Sequence, residues 1–254
     1  MLQSSNALTI QRSSFQTNLF SLSSSIIMMN KHNFYYIFAL IALLAMTNSC
    51  KKKEAPNFHF EYMGLSEGRY VIYDVVDITH DIGATIPHDT LIYQLKTHWG
   101  ETYVDNEGRN SRKFRRYTRN TPADAWALKD TWYGLIDGIR GELVEENQRV
   151  VKLVFSPTQQ KEWDANAYNT FAPLGCYYDD IHKSKTIGGV NYDSTVVVEQ
   201  ADEQNAILKI RKYEVYAKNI GLISKFYMDN DFQQSSIPEN GVELYYTIVS
   251  YGFE

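Results

Sequence analysis

Apolar and polar side chains alternate in short runs along most of residues 69–251, with a period of two rather than 3.6. In Thr90–His98 the apolar set is Leu91, Tyr93 and Leu95, while Gln94, Lys96 and His98 take the other face. Arg69–Ile78 is rich in β-branched and aromatic residues and predicts a strand of the same kind. The turn-forming run Asp105-Asn106-Glu107-Gly108 separates Thr90–His98 from Arg112–Arg119, so 90–119 reads as a hairpin that ends at Pro122. Trp126–Ile136 follows. Gly141–Phe155 is the clearest short hairpin, turning at Glu146-Asn147, with Val151, Leu153 and Phe155 in phase on its return strand. Ser156–Pro173 shows little regular period and reads as a long loop. Tyr192–Gln200, Ala206–Tyr216, Gly221–Met228 and Gly241–Tyr251 complete the set, with a polar connection over Asp229–Asn240.

About nine or ten strands joined mainly by turns, and no amphipathic helix beyond two turns, predict a mainly β fold with antiparallel neighbours. A sheet of that size twists, and closing it removes its edges. The expected architecture is therefore a single antiparallel, strongly curved sheet or barrel-like meander. A two-sheet β-sandwich is the alternative.

The first fifty residues carry a different pattern. Residues 1–27 are rich in Ser, Thr, Asn and Gln and lack a sustained period, so they read as disordered or as sequence ahead of the true start at Met28 or Met29. Lys31 then precedes the uncharged apolar run Phe34–Met46, and Thr47-Asn48-Ser49 leads into Cys50. That run is shorter than the ~18–20 residues that span a bilayer and matches the apolar core of a secretory signal over residues 28–49. A transmembrane anchor, or ordinary cleavage with Cys50 as a bystander, are the alternatives. Lys51-Lys52-Lys53 follows at once, and 50–63 is read as a short tether ahead of one β-rich domain over 64–254. Basic residues beside an acylated cysteine would face anionic headgroups.

Charge narrows the partners. The chain carries 25 Lys and Arg against 30 Asp and Glu, a net charge of −5. Only Arg12 and Lys31 precede Cys50 among the charged residues, so the exported part is more acidic still and is not a nucleic-acid binder. Of the 2 cysteines, Cys50, with Ser49 before it and lysines behind it, resembles the acylated cysteine of bacterial lipoproteins, which would leave Cys176 without a disulfide partner, and Cys176 reads as a small buried apolar residue. The 19 tyrosines suit half-buried pleated surfaces first and binding faces second.

Catalytic signatures are absent: there is no Gly-x-Ser-x-Gly, His-Glu-x-x-His or Gly-rich phosphate loop, no catalytic residue is assigned, and neither an enzyme nor a cofactor is expected. Asp179, Asp180 and His182 have ligand chemistry but lack the rest of a metal site. Asp229-Asn230-Asp231 starts like a calcium loop without its glycine or later glutamate. The basic run at Arg112, Arg115 and Arg116 is a candidate for anion binding. Alternation sends Arg112, Phe114 and Arg116 to one face and Lys113, Arg115 and Tyr117 to the other, which also suits an edge hairpin guarded by charge. In Trp163–Phe171, the rings of Trp163, Tyr168 and Phe171 with the amides of Asn166 and Asn169 are what a stacking, hydrogen-bonding ligand site uses; the competing reading is a plug at one end of the sheet core.

Four stretches carry a resemblance: the Ser49-Cys50-Lys51-Lys52 box, Asp105–Gly108, Trp163–Thr170, and Glu214–Ile223. Together they resemble lipoproteins of unknown function from the Bacteroidota. The box departs from the usual pattern in having Thr47 where an aliphatic residue is preferred. The resemblance implies a lipid anchor at Cys50 and a place in the cell envelope, with the outer membrane expected. It brings no assigned site. The expected partners are the membrane, through the anchor, and either a small apolar or amphipathic ligand or an envelope protein. A ligand carrier predicts an aromatic-lined cavity of several hundred cubic ångströms, whereas a structural lipoprotein predicts a filled interior and an exposed apolar patch.

Overall fold

The computed structural model describes Tyr35, Tyr36, Phe38 and Ala39, and residues 55–254 apart from 234 and 235. The chain divides into two compact units, Met1–Pro56 and Asn57–Glu254. In the first unit Tyr35, Tyr36, Phe38 and Ala39 are helical. Met28, Met29, Cys50 and the lysines at 51–53 lie outside the described residues. Among the described residues no helix is long and apolar enough to cross a membrane.

The second unit is one 12-stranded antiparallel sheet. The strands are β1 (Arg69–Asp81), β2 (His88–Val104), β3 (Asn110–Arg119), β4 (Ala127–Asp137), β5 (Arg140–Glu145), β6 (Gln148–Val154), β7 (Glu162–Asp164), β8 (Gly175–Ile187), β9 (Val190–Gln204), β10 (Leu208–Ala217), β11 (Gly221–Asp231) and β12 (Asn240–Phe253). Their order across the sheet is β6-β5-β4-β3-β2-β1-β12-β11-β10-β9-β8-β7. Each strand pairs with its neighbour in sequence, except that β1 zips onto β12 from Arg69↔Phe253 to Asp81↔Asn240 and that β6 and β7 stand at the two ends.

Those ends approach each other through the chain that follows β7. Val151 N donates to Ala165 O at 2.9 Å, Arg149 pairs with Tyr168, and the Trp163 indole donates to Val151 O at 3.0 Å. The sheet is therefore a nearly closed barrel, the expected class, and the seam supplies polar partners to what would be a bare edge.

Alternation built the strands as expected. Val71, Tyr73 and Val75 of β1 are buried, and Ile72 and Asp74 between them are less so. The β5–β6 turn places Glu146 and Asn147 at φ 48° and 63°, the paired left-handed conformation that suits a two-residue hairpin. Val196, Val197 and Val198 of β9 are all buried, because both faces of that strand are covered.

One stretch left unassigned by the alternation proves to be a strand, and two expectations are corrected. The stretch around Asp179–His182 is part of β8, a strand that bulges three times between Tyr178 and Lys185 and so hides its period. The loop Ser156–Pro173 contains the short β7. The β unit begins at Asn57 rather than Gly64: a 3₁₀ turn, Phe60–Met63, buries Tyr62 and Met63 in the core. Gly64, at φ 63°, closes that turn against the β10–β11 connection, where a Cβ would stand 2.4 Å from Ile220 O.

Candidate ligand cavity

A cavity of about 80 Å³ lies between the two apolar clusters of the barrel. Its wall is aromatic: Tyr73, Trp99, Phe114, Trp132, Tyr216 and Tyr246. Gly134 makes room for this wall, since a Cβ there would stand 2.4 Å from the Trp99 ring. Phe114 and Arg116 line the cavity together, as the alternation of β3 requires. Two other depressions, of about 290 and 240 Å³, lie at the hairpin tips around Asn205 and Phe232, and beside Phe60, Arg69 and Ile136.

The cavity also holds charge. Glu214 of β10 is 1% exposed and accepts from Lys152 of β6 at 2.8 Å and from the Tyr216 hydroxyl at 2.6 Å. Lys152 stands 3.7 Å from Glu145 as well, and Lys225 of β11 stands 3.8 Å from Glu214. Burial alone would raise the Glu214 carboxyl; the lysines and Tyr216 outweigh it and hold the pKa at about 2. Lys152 is pushed up, because Glu214 and Glu145 together overcome its own desolvation. Lys225 moves the other way: burial lowers it, and Glu214 does not compensate. Among the described residues its ammonium has no hydrogen-bond partner, and its side chain is 25% exposed. Arg116 is spent: it grips Asp130 with two nitrogens at 2.7 and 2.5 Å and lies 3.3 Å from the Trp132 ring centre. The site thus offers an aromatic wall, a neutralised ion pair and one ammonium with donors to spare.

No protein-family model and no curated protein matches this chain. Two solved structures are similar to it. One, from Parabacteroides distasonis, is assigned as a lipoprotein; it is 9% identical, with 78% of this chain and 100% of that chain covered, at a TM-score of 0.41. The other, from Bacteroides fragilis, is assigned as an exported protein with a YmcC-like fold; it is 10% identical, with 75% and 98% covered, at a TM-score of 0.40.

The residues singled out from sequence lie elsewhere, Arg116 excepted. Trp163 packs at a tilt against Tyr178, with ring centres 4.9 Å apart, and donates across the seam. Asn169 donates to Arg149 O of β6 and to Asn166 Oδ1, and Asn166 donates to Ala172 O, so both amides are used within the loop and at the seam. Tyr168 and Phe171 are exposed, with the Arg140 guanidinium 4.8 Å from the Tyr168 ring. Arg112 pairs with Glu67 and donates to Gly100 O, while Arg115 holds both oxygens of Glu101 and shares that carboxylate with Lys113. The three arginines do not converge on one point.

Asp180 is held by Lys183 and Lys185, and His182 turns its Nδ1 to the Tyr62 hydroxyl at 2.7 Å. Asp229 pairs with Lys212, and Asn230 donates to Glu243. Among the described residues no three His, Cys, Asp or Glu side chains are grouped to hold a metal ion. Cys176 is 2% exposed in the core, and burial pushes its thiol up to about 12, which makes it an inert apolar filler. Sequence reasoning missed Glu214 and Lys225. Each is a charge on a strand in phase with buried apolar neighbours, and that mismatch is the signal that could have found it.

Proposed function

We propose that this chain is an exported, non-enzymatic lipoprotein of the cell envelope, attached to the outer membrane through acyl chains on Cys50, whose barrel binds a small amphipathic molecule. The observation that carries the binding reading is the cavity itself: six aromatic side chains set among aliphatic ones, and the Lys225 ammonium with its donors unspent. Its volume of about 80 Å³ is well below the several hundred cubic ångströms of a carrier for a whole lipid. A short amphipathic molecule, or the end of a longer one, is the ligand that fits. Its apolar part would lie against Trp99 and Phe114, and its polar end would reach Lys225.

Two measurements test this. Labelled palmitate is incorporated into the wild-type chain and not into Cys50→Ser; incorporation that is unaffected by the substitution removes the anchor. Native mass spectrometry of the full chain taken from membranes shows a retained small molecule that Lys225→Met loses. A spectrum with no mass beyond the lipidated polypeptide overturns the cavity reading.

A second reading, a structural lipoprotein that docks on an envelope protein, draws on the hairpin tips at one end of the barrel. Three adjacent hairpin tips there expose Ile82, Ile86, Ile207 and Ile237. They are tied together by Ile82 N to Glu239 O at 3.0 Å and Phe232 N to Ile207 O at 2.8 Å. Crosslinking from these tips to one defined envelope protein, with a cavity that retains nothing, would favour it.

A further inference from the structure

Arg69 opens β1 at the end of the barrel where the chain enters the β unit. It shares a face with Val71, Tyr73 and Val75, which are all buried, and it is itself only 9% exposed. A buried guanidinium is expected to be paired, because it stays charged and its desolvation is otherwise uncompensated. Every other arginine buried or half-buried in this barrel holds a carboxylate or a carbonyl. Among the described residues Arg69 holds none: it takes part in no ion pair, its side chain donates no hydrogen bond, and its buried Nε has no partner. Its contacts are the rings of Phe253, at 3.8 Å, and Tyr251, at 5.9 Å. Burial without a counter-anion also pulls Arg69 below the usual guanidinium range.

Arg69 borders the depression of about 240 Å³ at the entry end, together with Phe60, Glu61, Leu65, Ser66 and Ile136. None of its lining residues lines the central cavity. Glu61 is the one carboxylate in this lining, and it is committed to Lys218 at 3.0 Å and approached by His59 at 3.5 Å. Because Phe253 takes a face of the guanidinium, the donors left to it are those on its edge. Edge donors in a fork match a two-oxygen acceptor such as carboxylate or phosphate.

We infer that the pocket at Arg69 is a binding site for an oxyanion group, carboxylate or phosphate, received by the two outer nitrogens of the guanidinium with Ser66 at its border. The site is independent of the central cavity and of the function proposed for it. Its position on the barrel allows the oxyanion to come from a free small molecule or from a lipid headgroup.

The test is a titration of the full chain with sodium phosphate and with sodium acetate, followed at the arginine Nε–H resonances, with sodium chloride at matched ionic strength as the reference. The Arg69 resonance is expected to shift saturably with phosphate or acetate and not with chloride. Arg69→Gln abolishes the saturation, and Arg69→Lys, which keeps the charge but not the fork, weakens it by tenfold or more. The unfolding temperature provides a second readout: phosphate raises it in wild type and not in Arg69→Gln. Chloride acting as well as phosphate, no saturable shift in the wild type, or Arg69→Gln binding within twofold of wild type would each overturn the site. If it stands, vesicles containing phosphatidylglycerol competing with free phosphate assign the oxyanion to a headgroup; failure to compete assigns it to a soluble molecule.

Discussion

Two fully buried glutamates divide the barrel into regions that treat charge differently. Glu214 faces the central cavity and is held by Lys152 and Tyr216, with Lys225 close by. Glu142, 0% exposed, lies near the seam and is held by Arg140 at 2.8 Å, with Arg149 at 3.7 Å. At the seam each arginine also has a second carboxylate, Asp137 for Arg140 and Glu107 for Arg149, and Arg140 is 31% exposed. Around the cavity the lysines have fewer alternatives. A charge removed at the seam can be replaced by neighbours and water, whereas a charge removed at the cavity leaves a buried ammonium facing aromatic rings.

The largest expected effect is therefore at Glu214. Glu214→Gln leaves Lys152 and Lys225 without their shared counter-ion and should lower stability by about 3–5 kcal/mol in urea unfolding. The same variant should change the acid limb. In the folded state the Glu214 carboxyl is held at about 2, below its ordinary value of 4.5, so its contribution is complete above that ordinary value and is lost as pH falls from there toward about 2. Stability measured through that window should fall less steeply in Glu214→Gln than in wild type. Next comes Glu142→Gln, which loses one side of an ion pair whose arginines keep other partners, at a cost of about 1–3 kcal/mol. A larger loss at Glu142 than at Glu214 would break the comparison. The smallest effect is outside both regions. Glu101→Gln removes an acceptor for Lys113 and Arg115 in solvent, and the unfolding midpoint should stay where it was.

The two faces of β3 show how far the fold and its sites could be read in advance. The alternation placing Phe114 and Arg116 together, away from Lys113 and Arg115, is a property of the strand, and the structure follows it. What the alternation does not contain is the partner. Asp130, which neutralises Arg116, comes from β4, and Glu101, which neutralises Arg115, comes from a bulge in β2 between Trp99 and Thr102. Such pairings depend on register, and a bulge shifts register without marking the sequence strongly. β8 was obscured for the same reason. The cavity was less legible still, because Lys152, Glu214 and Lys225 come from β6, β10 and β11 and meet only once the barrel curls. The rings of Trp163–Phe171 were visible as a cluster. Their role at the seam depended on Arg149 and Val151, which belong to a hairpin with its own local logic.

The zipper between β1 and β12 bears on how the molecule is made. All thirteen of its registered pairs join residues from opposite ends of the domain, from Arg69 with Phe253 to Asp81 with Asn240. Hairpins such as β5–β6 can form within a few residues of each other, but β1 has no second neighbour until β12 arrives. The meeting of the two chain ends is then the expected slow step in folding, with the loop-closure entropy of nearly the whole domain lost before that contact is gained. A chain emerging N-terminus first would carry an unpaired β1 edge until its last strand was released, and the barrel would be completed only after the whole polypeptide was available.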